Sequence, residues 1–214
     1  MGKDETQKKG KQQKERKPVD IGQNEEDTAT PLDFSFKKIT KLDISQVQGA
    51  RSSRIGSIPE KGSVNKRFLT RSIWLNNNKL TNIKNMDTLV QELLEQPEKL
   101  GWIDFSFNYI TNIDDSILKF TNLKIVYFHG NKITDINEVC KLRNLKELRS
   151  VTFHGNPIAD FRAYRNFLIT FLPQIVNLDF TPITKTERLQ PKPPEALRII
   201  EAYESQTQPN VNNT

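Results

Sequence analysis

Apolar residues recur along this chain in one eleven-residue pattern, with apolar side chains at positions one, four, six and eleven and Asn at nine. Leu148-Arg-Ser-Val151-Thr-Phe153-His154-Gly155-Asn156-Pro157-Ile158 writes it most plainly, and Leu123-Lys-Ile-Val126-Tyr-Phe128-His129-Gly130-Asn131-Lys-Ile133 nearly repeats it. Leu100-Gly-Trp-Ile103-Asp-Phe105-Ser-Phe-Asn108-Tyr-Ile110 and Thr70-Arg-Ser-Ile73-Trp-Leu75-Asn-Asn-Asn78-Lys-Leu80 follow the same template, with Asn intervals of 30, 23 and 25 residues. Positions three to seven alternate with the period of a strand, so four and six share one side and three, five and seven the other. A unit this short, one strand and one return, buries its apolar side only by stacking on copies of itself. The Asn closes the turn after the strand. Its amide pairs with backbone groups that would otherwise be buried unsatisfied, worth roughly 1 kcal/mol net per bond.

The returns differ. Met86, Leu89, Val90, Leu93 and Leu94 recur at helical spacing, which predicts a helix with Asp87 as N-cap and Pro97 as its stop, and accounts for the longest interval. Ile113, Ile117, Leu118 and Phe120, then Ile136, Val139, Leu142 and Leu145, supply the next two. After Asn156 the pattern predicts a helix capped by Asp160, carrying Phe161, Tyr164, Phe167, Leu168, Phe171 and Leu172 and stopped by Pro173. Ile175, Leu178 and Phe180 then take inward strand positions, with Ile183 where an Asn would stand. The segment reads as a C-terminal cap. At the other end, Pro31-Leu-Asp-Phe-Ser-Phe-Lys-Lys-Ile39 echoes Ile103 to Ile110 with Lys37 in the Asn place, either a degenerate capping strand or an extended arm. The chain divides into a charged tail (1–30), a basic entry segment (31–67), four repeats with their cap (68–188) and a Pro-rich tail (189–214). In that last tail Glu195 to Glu204 form a short helix that either packs on the repeats or holds a partner. The fold class is α/β: a short solenoid with a parallel sheet on its concave side, helices and turns on its convex side, and a helical C-terminal cap.

Composition adds three points. The first thirty residues hold 7 basic and 7 acidic side chains and almost nothing apolar before Ile21, the signature of a segment disordered when free. Residues 31–67 hold 8 basic and 3 acidic ones, so most of the net charge of +6 sits at the entrance to the repeats. Arg51, Arg54, Lys61, Lys66 and Arg67 make this either an acidic-surface contact or a solvated linker, and phosphorylation of Ser52 or Ser53 would reverse its charge. Cys140 stands alone, which excludes an internal disulfide and suits a reducing, cytoplasmic setting. Within a return segment it reads as a small half-buried side chain. No secretory segment or long apolar run is present, and Met1-Gly2-Lys3-Asp4-Glu5-Thr6 fits an acylation pattern only formally.

Chemistry is sparse. The chain has no phosphate-binding glycine loop, no Cys/His set at metal spacing and no nucleophile motif, so no catalytic residue, metal or cofactor is assigned. His129 and His154 take the same template position in adjacent repeats, yet no third metal ligand recurs there. The outward positions form rows: Ser72, Trp102, Ile125, Ser150, Asn177; Trp74, Asp104, Tyr127, Thr152, Asp179; Asn76, Ser106, His129, His154, Thr181. Both tryptophans of the chain fall here, on the side away from the core. Trp74, Trp102, Asp104, Ile125, Tyr127, His129 and His154 are the candidate partner-binding residues. The alternative is that one of the chain's own ends covers the patch.

The template L-x-x-L-x-L-x-x-N-x-L is that of a leucine-rich repeat. The closing segment, His154-Gly-Asn-Pro-Ile158, Tyr164-Arg165, Leu172-Pro173, Leu178-Asp179 and Thr184-Lys-Thr-Glu187-Arg188, resembles that of the leucine-rich repeat subfamily containing the many-repeat phosphatase-1 regulator, the U2 snRNP A′ protein and axonemal outer-arm dynein light chain 1. The resemblance covers about residues 31–188 and implies a non-enzymatic adaptor of the cytoskeleton. Its nearest members suggest cilia and flagella, with axonemal protein partners and tubulin as an acidic surface for the basic entrance. Small-molecule substrates, membranes and nucleic acid are not expected partners. The rival readings are a regulatory subunit of a protein phosphatase and a ribonucleoprotein scaffold.

Overall fold

The computed structural model describes residues 30–52 and 57–207. The charged tail, its acylation pattern, Ser53 and Arg54 lie outside them. Six strands stack in chain order as a parallel sheet: β1 (Leu32–Asp33), β2 (Ser72–Trp74), β3 (Trp102–Asp104), β4 (Ile125–Tyr127), β5 (Ser150–Thr152) and β6 (Asn177–Leu178). A seventh, β7 (Thr181–Pro182), turns back antiparallel on β6. The register is that of the template, Ser72 beside Trp102 beside Ile125 beside Ser150 beside Asn177. Inward residues Ile73, Leu75, Ile103, Phe105, Val126, Phe128, Val151 and Phe153 are all buried. Phe105, Phe128 and Phe153 stack in sequence at 5.5 and 5.6 Å, one ring per unit along the spine of the core.

The asparagines join unit to unit. Asn131 donates to the carbonyls of Phe128 (2.8 Å) in its own unit and Phe105 (2.9 Å) in the preceding one, and accepts from the N–H of Ile110 (3.0 Å). Asn108 and Asn156 repeat this arrangement with their own neighbours. Asn78 reaches back to the first strand, donating to Phe34 O and accepting from Lys37 N and Ile39 N. Leu32–Asp33 also pairs in parallel with Ile73–Trp74. Leu32 and Asp33 add a strand at the N-terminal edge of the sheet, and the turn that follows, with Lys37 in the Asn place, is bonded by the next unit's Asn78.

On the convex side the first return is a helix, α1 (Met86–Leu93), and the third begins as one, α2 (Asn137–Cys140); between them a 3₁₀ turn spans Asp115–Lys119. Asp87 does not cap α1. Asn85 adopts a left-handed conformation (φ 62°) that starts the helix two residues early, at the buried Met86, and Asp87, inside the first turn, pairs instead with Lys119 at 2.5 Å. Asp160 is displaced for a related reason. Pro157 opens a 3₁₀ turn that ends at Asp160, and α3 (Tyr164–Phe171) starts only after left-handed Ala163 (φ 64°). Cys140 is fully buried rather than half-buried, and burial pushes its thiol up to about 11.

A short capping-box helix, α4 (Lys185–Arg188), follows β7. The tail helix is longer than its apolar pattern predicts, α5 (Pro194–Thr207), and it packs against α2 and α3. Ala196 and Ile200 are buried in that contact, while Arg143 binds Glu204 at 2.9 Å and Asn144 binds the Tyr203 hydroxyl at 3.0 Å. Phe180 departs furthest from expectation. Asp179 and Phe180 are both left-handed (φ 52° and 61°), which reverses the chain into β7 and turns the Phe180 ring onto the concave side, away from the core.

Candidate functional site: the concave face

Strand alternation presents the outward rows on one continuous surface. Trp74 and Trp102 meet edge to face with centroids 5.4 Å apart, and Trp102 meets Tyr127 at 5.8 Å. Tyr127 continues to Phe180 at 5.1 Å and to His129 at 6.0 Å, and His129 stacks on His154 at 4.7 Å with the planes 8° apart. Five of the seven candidate residues, Trp74, Trp102, Tyr127, His129 and His154, therefore form one chain of rings. Ile125 and Asp104 lie beside it, in register with Trp102 and Tyr127 respectively. Both indoles are half-buried, and among the described residues neither Nε1–H has an acceptor.

His129 is not the displayed contact that its template position predicts. Phe107 (5.0 Å) and Phe180 (5.5 Å) close over its ring and leave it 9% exposed, with Nδ1 2.8 Å from the Thr152 hydroxyl. Burial first, then the adjacent His154, lowers its pKa to about 4, so it is neutral near pH 7. His154 remains exposed, with Nδ1 3.2 Å from an oxygen of Asp179. Two parallel stacked imidazoles direct their lone pairs along separate planes, and among the described residues no group of three His, Cys, Asp or Glu is placed to hold a metal ion.

Phe107 and Phe180 belong to this surface and are 54% and 57% exposed. Phe107 stands at template position eight, where the chain is left-handed in five successive units, at Phe36, Asn77, Phe107, Gly130 and Gly155, whereas Phe180 stands at position six and is left-handed only because the chain reverses there. The glycines are the sequence signal, since they mark the position as one with positive φ. Gly130 has a second reason to lack a side chain, because a Cβ there would lie 2.7 Å from the Phe107 ring.

Electrostatics on this face is acidic. Asp104 caps its own turn by accepting from Ser106 N–H at 2.8 Å, and its burial, reinforced by the charge of Asp33, raises its carboxyl above the usual range. Tyr127 is raised too, by burial and then by Asp104. Asp179 is structural. It accepts from Phe153 N–H (2.7 Å), His154 N–H (2.9 Å) and the Tyr164 hydroxyl (2.9 Å), so it ties α3 to the end of the sheet. Arg165 secures the same junction through Leu178 O and Glu187, whose carboxyl it draws down to about 2.

The basic entrance is only partly assembled as a contact surface. Arg51 is used within the chain: its backbone N–H bonds Asp33 O, and its guanidinium binds Ser35 O and lies 5.4 Å over the Phe36 ring. Lys61, Lys66 and Arg67 do converge, around a cavity of about 250 Å³ floored by Phe34, Val47, Phe68 and Leu93, with Glu92 beside them. Ser52 is exposed.

One strand per unit, one Asn per turn and a parallel concave sheet define the class. A leucine-rich repeat model matches residues 49–197, and the chain belongs to that family. Among proteins of known sequence it is similar to leucine-rich repeat-containing protein 51 of Rattus norvegicus, 44% identical over 158 residues that cover 74% of this chain and 81% of the relative. The protein of the same name from Homo sapiens is 42% identical over the same shares. Among solved structures, the Drosophila melanogaster SNF/U2A′ complex superposes with a TM-score of 0.50 at 20% identity, covering 70% of this chain and 82% of that one. That likeness establishes the solenoid fold and its helical C-terminal end.

Proposed function

We propose that this chain is a non-enzymatic adaptor that docks a partner protein on its concave face and works in the cytoskeleton of cilia and flagella. The observation that carries the docking is the run of rings from Trp74 through Trp102 and Tyr127 to His154 on the side away from the core. Aromatic side chains half-exposed and rimmed by polar groups are what dominate the energetics of protein interfaces. Membership of a repeat family of protein-interaction modules supports the same reading. The axonemal setting rests on the resemblance of the closing segment to that of axonemal dynein light chain 1, and tubulin or another acidic surface would meet Lys61, Lys66 and Arg67.

The test is localisation of a tagged copy in ciliated cells, followed by salt extraction of isolated axonemes. Retention at low salt and release at high salt is the expected result, lost when Trp74 and Trp102 are both replaced by Ala in a variant that keeps its melting temperature within a few degrees. A diffuse signal absent from axonemes overturns the ciliary assignment. Co-purifying phosphatase activity would put a phosphatase regulator in its place, and nuclear, nuclease-sensitive recovery a ribonucleoprotein scaffold.

A further inference from the structure

We infer that the concave face recognises a cationic segment of its partner, an extended stretch of Arg or Lys interleaved with apolar residues; this rests on the docking reading above. Its outward strand positions carry no Lys or Arg among the described strands, while Asp33 and Asp104 fall there and Asp179 directly follows β6. Asp179 is consumed by the C-terminal junction. The other two are arranged around an indole. Parallel pairing puts Asp33, Trp74 and Asp104 side by side in one row, so the carboxylates flank Trp74 at about 5 Å per strand on either side. In each, one oxygen already accepts from the backbone N–H two residues on, which fixes the carboxylate against its own turn, Asp33 buried at 6% exposure and Asp104 half-buried beside the indole.

An indole face carries negative charge density, and a carboxylate on each side deepens the potential above it. A guanidinium laid on Trp74 stacks on the ring and meets Asp104 at its edge, and its aliphatic stem or an apolar neighbour covers Trp102, Ile125 and Tyr127. An acidic partner would instead bring like charge against two partly desolvated carboxylates. The same pairing already occurs at the rim of this sheet, where the chain's own Arg51 lies over Phe36.

The chain's only two tryptophans both lie on this face, so their emission reports the site directly. The full chain is titrated with a twelve-residue peptide of four Gly-Arg-Leu repeats and with its Gly-Glu-Leu counterpart. The Arg peptide is expected to shift the emission saturably and the Glu peptide not to. Asp104→Asn, which keeps the Ser106 bond, is expected to weaken the Arg peptide about tenfold. Its melting temperature should be equal or higher, because burial already disfavours the charge it removes. Equal response to both peptides, an unchanged affinity in Asp104→Asn, or silence from both overturns the cationic partner; if axonemal retention still depends on Trp74 and Trp102, the docking face itself survives. Retention that is indifferent to those tryptophans removes the docking face as well. Binding that appears only after Lys8→Glu, Lys9→Glu and Lys11→Glu would assign the face to the chain's own start. Emission that shifts with protein concentration alone would assign it to a second copy. Both of those results overturn a partner in trans.

Discussion

At the scale of single residues, the asparagine at template position nine holds more structure than its size suggests. Asn131 satisfies two carbonyls and one N–H in two different units, all of them buried. Asn131→Ala leaves those groups without partners and without water, and an unmade buried bond costs about 1–3 kcal/mol. The expected loss is at least about 3 kcal/mol in urea unfolding, larger than the size of the deleted group alone would give. His129 makes the stability depend on pH. Its pKa is about 4 in the folded chain against an ordinary 6.5, so the unfolded state binds more protons between those values. The contribution is complete above pH 6.5 and is lost as pH falls towards 4. It amounts to at most about 3 kcal/mol, because the ring edge stays partly hydrated. Asp104, raised by burial, acts in the opposite sense over the lower part of that window. The difference between wild type and His129→Gln, measured by unfolding at pH 7 and pH 4.5, isolates the histidine: the variant should show the smaller drop.

Among the elements, strands were legible in the sequence and helix starts were not. Inward and outward rows follow from alternation alone, and the sheet keeps them in register from Ser72 to Asn177. Helix starts depend on backbone conformations that the apolar pattern does not record. Left-handed Asn85 and Ala163 begin α1 and α3, and the acidic residues that look like caps stand elsewhere. Phe107 and Phe180 escaped the site for the same reason: read as strand residues they would face the core or the solvent at the edge, and only a positive φ brings their rings over His129. The tail helix was undecidable because Leu197, Ile200 and Tyr203 mark one apolar side without saying what it meets. In the fold Ala196 and Ile200 are buried against α2 and α3, while Leu197 stays 39% exposed. Ala196→Asp puts an unpaired charge at a position with no solvent access. It should release α5, seen as loss of amide-exchange protection across 194–207 with β2 to β5 unchanged.

Across the whole molecule, interactions run from each unit to the next, and the two ends are closed by different devices. At the front, β1 borrows the Asn of the following unit. At the back, Asp179 takes over the accepting role, bonding Phe153 N–H and His154 N–H while it anchors α3 through Tyr164. Between them the concave face stays open over β2 to β4, where both tryptophans lie, and is covered at its C-terminal side by Phe180. Site and stability are therefore largely separable: the rings that face a partner come from outward positions, and the spine of stacked Phe105, Phe128 and Phe153 comes from inward ones.

The asparagine ladder also has a direction. Each turn is completed by the amide of the unit that comes after it in the chain, never by the one before. As the polypeptide leaves the ribosome, every newly made unit thus waits, with backbone groups unmet, for its successor to emerge, and the wait ends at Asp179, whose carboxylate accepts from the last two strand N–H groups. A product released early, at any point before that residue, keeps one raw edge, and that edge is what a chaperone or a protease would find.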